Sequence, residues 1–273
     1  MLYVITAVHD RYKITEAFVK QLLRQTYKDI CLILVDDGSK DGTAEMVKSM
    51  MPNSVILHGD GTLWWGGALH EAYRWVKDYA DQSAYVMFAN DDSAFDDNYI
   101  EQALTLLENK EKVLLTGCGV SKQSGKIVDG AVLYEPRTIK SEVIGAGVGN
   151  CASTRSLFFS VKDFITIGGF HPKALPHYAS DYEWTIRACR KFRYIVLCNE
   201  NLKYYVDEET TGDNHYEKMT RKKAFSKRSV SNPFYKFTFI VLATPAKDLP
   251  AALICQCKKY VGKRKLIAEI MKR

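Results

Sequence analysis

Three places in this sequence put carboxylates where chemistry could use them. Asp36-Asp37 closes the apolar run Ile30-Cys31-Leu32-Ile33-Leu34-Val35, and Asp91-Asp92 closes Tyr85-Val86-Met87-Phe88-Ala89-Asn90. Asp181-Tyr182-Glu183-Trp184 opens a helical pattern just after His177. Adjacent carboxylates repel, so a protein keeps such a pair where a cation, a polar network or water offsets the repulsion. A divalent metal carrying a phosphorylated ligand is one use of residues 90–92. An Asx turn after a strand, which Asp91-Asp92-Ser93 also suits, is the other, and these residues alone support the two about equally.

Between the first two stations lies His58-Gly59-Asp60-Gly61-Thr62-Leu63-Trp64-Trp65-Gly66-Gly67, a loop with four glycines leading into a helical pattern. Glycines ahead of a helix let backbone amides approach an anion at its positive end. The competing reading is a tight turn whose tryptophans fill core.

The elements that must position these residues alternate. Apolar runs at 2–8, 30–35, 54–57, 85–89 and 113–119 read as buried strands, and amphipathic patterns from Ile14, 43–51, 68–76 and 99–107 as helices between them. Strand-helix alternation predicts an α/β fold with a mostly parallel central sheet, whose ligands sit at the C-terminal rim of the strands. From 121 to 149 the alternation becomes a series of short β-like runs, followed by a strand at 157–161 and a helix ending at Gly168-Gly169-Phe170. Another helix starts near Ser180-Asp181, and 194–197 reads as a further strand. No linker rich in Pro, Ser or Gly divides residues 1–215, so the nucleotide-binding half expected over 1–110 and the acceptor and catalytic half over 111–215 share one domain.

Residues 216–273 differ. They hold 15 Lys/Arg against 3 Asp/Glu, while residues 1–215 hold 23 against 29, so the overall +6 joins an acidic body to a basic tail. An acidic cleft suits a metal, and a basic tail suits phosphate or anionic lipid. The apolar stretch 234–243 is too short to cross a bilayer, and 249–270 reads as a basic helix that either lies on a membrane surface or packs on the body. Met1 leads straight into Leu2-Tyr3-Val4-Ile5 with no charged-then-apolar leader, so a cytoplasmic protein is expected, peripheral at the inner face of the cell membrane if the tail binds lipid. Seven scattered cysteines without a Cys-x-x-Cys pair read as reduced thiols.

Several classes are disfavoured by what the chain lacks. There is no Gly-x-x-x-x-Gly-Lys-Ser/Thr, no Gly-x-Gly-x-x-Gly after the first strand, no Gly-x-Ser-x-Gly and no His-Glu-x-x-His. What remains, in order, is Thr6-Ala7-Val8-His9, Val35-Asp36-Asp37-Gly38-Ser39-Lys40-Asp41-Gly42-Thr43, Asn90-Asp91-Asp92, Gly168-Gly169-Phe170 and Asp181-Tyr182-Glu183-Trp184 with Arg187. Over about residues 2–206 this set resembles the family 2 glycosyltransferases of the GT-A, or nucleotide-diphospho-sugar transferase, fold. The loop Leu63-Trp64-Trp65-Gly66-Gly67 is similar to that of a rhamnosyltransferase-like subgroup, a weaker signal.

The resemblance implies roles for individual residues. Asp37 matches the carboxylate that receives the pyrimidine base, with Thr6, Ala7 and His9 lining the same donor pocket and Trp65 and Gly66 assigned to it from the loop. Asp92 matches the metal-binding aspartate, taking Mn2+ or Mg2+, and Asp91 the neighbour that contacts ribose or sugar. Asp181 matches the catalytic base. The family motif commonly reads Glu-Asp-x-Asp and here reads Ser180-Asp181-Tyr182-Glu183, so Glu183 is a rival base. His215 stands as a further metal ligand or a surface histidine. The function implied is inverting transfer of a sugar from a UDP- or dTDP-sugar to a hydroxyl of a glycan or lipid-linked acceptor in surface polysaccharide synthesis, with no nucleic-acid partner. A sugar-phosphate nucleotidyltransferase is the first rival, though His9-Asp10-Arg11-Tyr12 offers no glycine for its loop. A glycan-binding protein without catalysis on the same scaffold is the second.

Overall fold

Period-two alternation sends the strand residues of the N-terminal half to two faces of one sheet. Along β1 (Leu2–Val8), Leu2, Val4 and Val8 join one buried cluster and Tyr3 and Ile5 the other. The computed structural model describes residues 1–208, 229 and 232–270, the last ten by backbone alone. Expectations placed on His215 and on the rest of 209–228 fall outside the described residues.

β1 lies between β2 (Ile30–Asp36) and β4 (Tyr85–Ala89), and β3 (Val55–His58) borders β2; all three pairings are parallel. The other half of the sheet is mixed. β11 (Ser156–Ser160) runs antiparallel to both β4 and β6 (Val113–Ser121), and β12 (Ile195–Val206) returns parallel to β6. No helix separates β6 from β11, and without a crossover helix to carry the chain back, the strand enters from the opposite end. Between them run β7 (Ile127–Asp129), paired with β6, the hairpin of β8 (Ala131–Glu135) and β9 (Lys140–Gly145), and β10 (Gly147–Gly149) at the edge beside β12. β5 (Ser93–Phe95) pairs with the far end of β12.

One face of the sheet is covered by α1 (Tyr12–Arg24), α2 (Thr43–Met50) and α4 (Tyr99–Leu107), which bury Phe18, Val47 and Ile100. The other is covered by α3 (Trp64–Tyr79), α5 (Val161–Ile167) and α6 (Ser180–Phe192), which bury Leu69, Phe164 and Trp184. α3 begins at Trp64, four residues ahead of the helix read from the sequence, so Trp65, Gly66 and Gly67 belong to its first turn rather than to the loop.

The C-terminal helices pack on this body. α7 (Pro233–Ala243) sets Phe239 edge-on to Tyr134 of β8 at 5.5 Å, and Arg190 of α6 donates to the Leu242 carbonyl at 2.7 Å. α8 (Leu249–Ile270) reaches the β8–β9 turn, where Lys259 Nζ donates to the carbonyls of Thr138 and Ile139.

Candidate active site

The C-terminal ends of β1, β2 and β4 share one rim, because their registers set Val8 beside Asp36 and Ile5 beside Phe88. Asp37 follows directly, its amide bonded to the Val8 carbonyl at 2.9 Å. Its carboxylate accepts three backbone N–H groups from the glycine loop: Gly61 (2.8 Å) and Leu63 (3.2 Å) on Oδ1, and Trp64 (3.0 Å) on Oδ2. The anion at the positive end of α3 is therefore a side chain of the protein itself. A carboxylate has about four lone-pair sites, so three amides leave one for a further donor. Glycine is required where the loop crosses this carboxylate, since a Cβ on Gly59 would stand 2.5 Å from Asp37 Oδ1. Beside it, Thr6 is fully buried with Oγ1 unpartnered, Ala7 is half-buried, and exposed His9 meets the Asp37 carbonyl through Nδ1 at 2.6 Å.

Two residues assigned to the donor pocket from the sequence have other partners. The Gly66 amide donates to the Pro176 carbonyl at 2.8 Å, and a Cβ there would lie 2.5 Å from the Leu175 carbonyl oxygen. Gly66 thus lets α3 approach the turn ahead of α6. Trp65 gives its indole N–H to Thr154 Oγ1 at 2.9 Å and packs against the core. The Gly66 amide and the Trp65 indole N–H are therefore both engaged within the protein, and the Trp65 ring keeps partial exposure.

At the second station the like charges are offset by a residue the sequence reading passed over. Arg11, just past β1, donates through Nε to Asp91 Oδ2 at 3.0 Å and through a terminal nitrogen to Asp92 Oδ2 at 3.2 Å. Asp91 is buried and takes a second bond from Thr15 of α1 at 2.9 Å. Burial raises its carboxyl against the lowering influence of Arg11. Asp92 keeps partial exposure, and the Asn90 side-chain oxygen is buried with no hydrogen-bond partner. Among the described residues no cluster of three or more His, Cys, Asp or Glu could hold a metal. Asp92 and the Asn90 amide offer oxygen donors of the kind that fit a hard cation such as Mn2+ or Mg2+, one that takes its remaining ligands from phosphates and water.

The third station is brought to the second by aromatic packing. Phe88 precedes Asp91 by three residues and Trp184 follows Asp181 by three, and their rings meet edge to face at 5.7 Å. Phe159, Phe164 and Phe170 complete the cluster, and the Trp184 indole N–H is anchored on the Gly168 carbonyl at 2.7 Å. Gly169 allows this fit, since a Cβ there would stand 2.5 Å from the Tyr73 ring. Backbone strain accompanies the site: Trp64, the first residue of α3, and Ala179, immediately before α6, both hold φ near +60°, a conformation that costs side-chain-bearing residues about 1–3 kcal/mol.

Asp181 sits half-buried in the first turn of α6. A helix N-terminus favours a carboxylate, yet its pKa is pushed up to about 6, mainly by burial and next by the charge of Asp129, against the lowering effect of the Tyr182 amide. Desolvation wins here over the helix dipole. Glu183, its rival, is almost fully buried and ion-paired with Arg187 at 3.0 Å; Arg187 also donates to the carbonyls of Ile167 and Gly169. Held by that carboxylate, Arg187 ties α6 to the end of α5.

The structure adds residues that no sequence motif marked. Because β11 is antiparallel to β4, its entry lands on the same rim, and the Asn90 amide donates to the Arg155 carbonyl at 3.3 Å. Ser153 donates to buried Asp129 Oδ2 at 2.6 Å, and Arg155 Nε lies 3.9 Å from the same oxygen. The only signal was the polar run Ser153-Thr154-Arg155 ahead of a buried strand.

Comparison with known proteins agrees with this architecture. The family model described as Glycosyl transferase family 2 matches residues 3–159. Glycosyltransferase GlyG of Streptococcus pneumoniae is 27% identical over 120 residues, a match spanning 43% of this chain and 38% of GlyG. The crystal structure of S. aureus TarS 1–349 in complex with UDP superposes with a TM-score of 0.59 at 14% identity, over 76% of this chain and 60% of that one. The mannosyltransferase PcManGT from Pyrobaculum calidifontis, solved with GDP-Man and Mn2+, gives 0.56 at 13% identity over 99% of this chain and 79% of its own. At these identities the two structures are likenesses of fold, and the chain spans well under half of the GlyG sequence.

Proposed function

The chain belongs to glycosyl transferase family 2, and from that premise we propose that it transfers a sugar, with inversion, from a UDP- or dTDP-sugar to a hydroxyl of a glycan or lipid-linked acceptor, using Asp181 as general base. The observation that carries this reading is the joining of two carboxylate stations through Phe88 and Trp184. Phe88, three residues before Asp91, packs on Trp184, three residues after Asp181, and the Asp181 carboxyl has a raised proton affinity. A base is most effective when its pKa lies near the working pH, and such a group is worth about 10²–10⁴ in rate.

Each station then has a part. The remaining lone-pair site of Asp37 suits an imide N–H of uracil or thymine, and the three loop amides hold the carboxylate still while it receives the base. Arg11 and Asp91 face the ribose and diphosphate side. Asp92, with the Asn90 oxygen beside it, would hold Mn2+ or Mg2+, which when bound supplies positive charge to the departing diphosphate. Asp181 takes the proton of the acceptor hydroxyl as its oxygen bonds to the anomeric carbon. The bond from that carbon to the diphosphate breaks on the opposite face, and the electron pair leaves with the nucleoside diphosphate. TarS and PcManGT, crystallised with UDP and with GDP-Man and Mn2+, support a nucleotide-sugar donor by likeness of fold.

Surface polysaccharide synthesis on a lipid carrier is supported by the C-terminal region. Phe234, Val241 and Ile254 are exposed there, alongside exposed Lys247, Lys258 and Lys259, a mix suited to an anionic membrane surface. No helix among the described residues is long and apolar enough to cross a membrane. Binding to vesicles of phosphatidylglycerol no better than to phosphatidylcholine vesicles would remove this part.

The central test is a panel of UDP-, dTDP- and GDP-sugars scored by thermal stabilisation with and without Mn2+, followed by transfer with the best donor. Asp181→Ala is expected to keep the donor-induced stabilisation and lose transfer; retained transfer would overturn the assignment.

A further inference from the structure

Asp129 and Arg155 belong to no motif, yet they meet each other on a segment bonded to the helix that carries the proposed base. Asp129 ends β7 and is buried, accepting Ser153 Oγ at 2.6 Å on one oxygen and the Gly130 amide at 2.8 Å on the other. The position is built for it: a Cβ on Gly119 of β6 would stand 2.8 Å from the Asp129 Cβ. Arg155 enters β11 with its carbonyl on the Asn90 amide and its guanidinium 3.9 Å from Asp129. The segment between them is tied to α6, because the Ala152 amide donates to Thr185 Oγ1 at 3.2 Å, one turn beyond Asp181. Thr185 Oγ1 in turn donates to the Asp181 carbonyl at 3.1 Å, so the segment carrying this pair of opposite charges is bonded both to α6 at Asp181 and to the strand end at Asn90.

We propose that Asp129 and Arg155 are positioning residues for Asp181, Asp129 holding the guanidinium at the rim so that the two opposed charges together decide when Asp181 is ionised. Asp129 opposes the loss of the Asp181 proton and Arg155 favours it. The other charged groups on the rim and on α6 are ion-paired, Asp91 and Asp92 with Arg11 and Glu183 with Arg187. The Cys151 thiol is pushed well up by burial and stays neutral, and the Tyr182 phenol is raised by burial too. α3 reaches this turn through Gly66 and α7 reaches α6 through Phe239, neither ionisable. The inference rests on Asp181 being the base, but its test does not pass through turnover.

The test is a 13C titration of the full chain labelled at aspartate carboxyls, with the Asp181 resonance identified by its loss in Asp181→Asn. The wild-type midpoint is expected near 6. Asp129→Asn keeps acceptor oxygen and shape, and should lower the midpoint by about half a unit; Arg155→Gln should raise it, by less. Shifts of opposite sign are not what general loosening produces. Unchanged midpoints, or shifts in one direction for both variants, would overturn the proposal. If Asp129→Asn does not fold, the rise in Arg155→Gln decides alone. Should Asp181→Ala retain transfer while the midpoints move as stated, the base assignment fails and the charge coupling stands.

Discussion

The Trp64 amide donates to Asp37 Oδ2 at 3.0 Å, so the carboxylate at the end of β2 caps the helix that begins the next wall of the cleft. With the Gly61 and Leu63 amides on its other oxygen, Asp37 organises the loop as well as the base pocket proposed for it.

Asp37→Ala should therefore do more than weaken donor binding. Three amides lose their acceptor, and a loss of about 3 kcal/mol in unfolding free energy is expected. Urea denaturation without any nucleotide measures it. Stability within about 0.5 kcal/mol of wild type would show that the loop does not depend on this carboxylate.

As the proposed base, Asp181 would couple activity to stability. Its carboxyl lies near 6 in the folded chain against an ordinary 3.8, so between these values the folded state holds a proton that the unfolded state has released. Stability from this group is present below about pH 4, is lost as pH rises toward 6, and stays lost above. Asp181→Asn should abolish transfer yet stabilise the chain at pH 8 by about 2 kcal/mol, discounted for partial exposure, with the gain shrinking toward pH 4.5. Melting curves at the two pH values decide it, and equal gains at both would contradict the linkage.

Glu183 answers to a different measurement. As the buried partner of Arg187 it should cost about 3–5 kcal/mol when cut to Ala, leaving a buried guanidinium uncompensated. The isosteric Glu183→Gln should fold better and retain the pH dependence of transfer. If it folds normally and has no activity, Glu183 returns as the base.

Gly66→Ala places a methyl 2.5 Å from the Leu175 carbonyl oxygen and 3.1 Å from that of Pro176. Separation of α3 from the turn before Asp181 should cost about 1–3 kcal/mol. Transfer should fall more than donor affinity does. A variant as stable and active as wild type would mean that the two elements are not held at this spacing.

Arg11→Met removes the charge that spans Asp91 and Asp92. Without it the paired carboxylates repel, so the variant should melt lower in EDTA and gain more from Mn2+ than the wild type does. An identical Mn2+ response in both proteins would separate Arg11 from the cation site.

Much of this was legible in the residues. Buried strand runs ending on Asp36-Asp37 and on Asn90-Asp91-Asp92 fix those side chains to a sheet rim wherever the helices pack, because strand alternation and burial are local properties of the chain. The division of labour between Asp181 and Glu183 was not. Two residues apart on one helix, they differ in their surroundings: Glu183 is buried against Arg187, which reaches the end of α5, and Asp181 keeps partial exposure. The roles of Gly66 and Trp65 likewise depended on the turn at 175–176 and on Thr154, more than 85 residues away. Arg155 reaches the Asn90 strand end because β11 runs antiparallel to β4, and Asp129 meets it from β7, which pairs with β6. The sequence by itself settled which residues stand at strand ends, since that follows from neighbours along the chain. Tertiary structure alone decided which carboxylate stays accessible and which is spent on packing, because burial and charge pairing are set by residues distant in sequence.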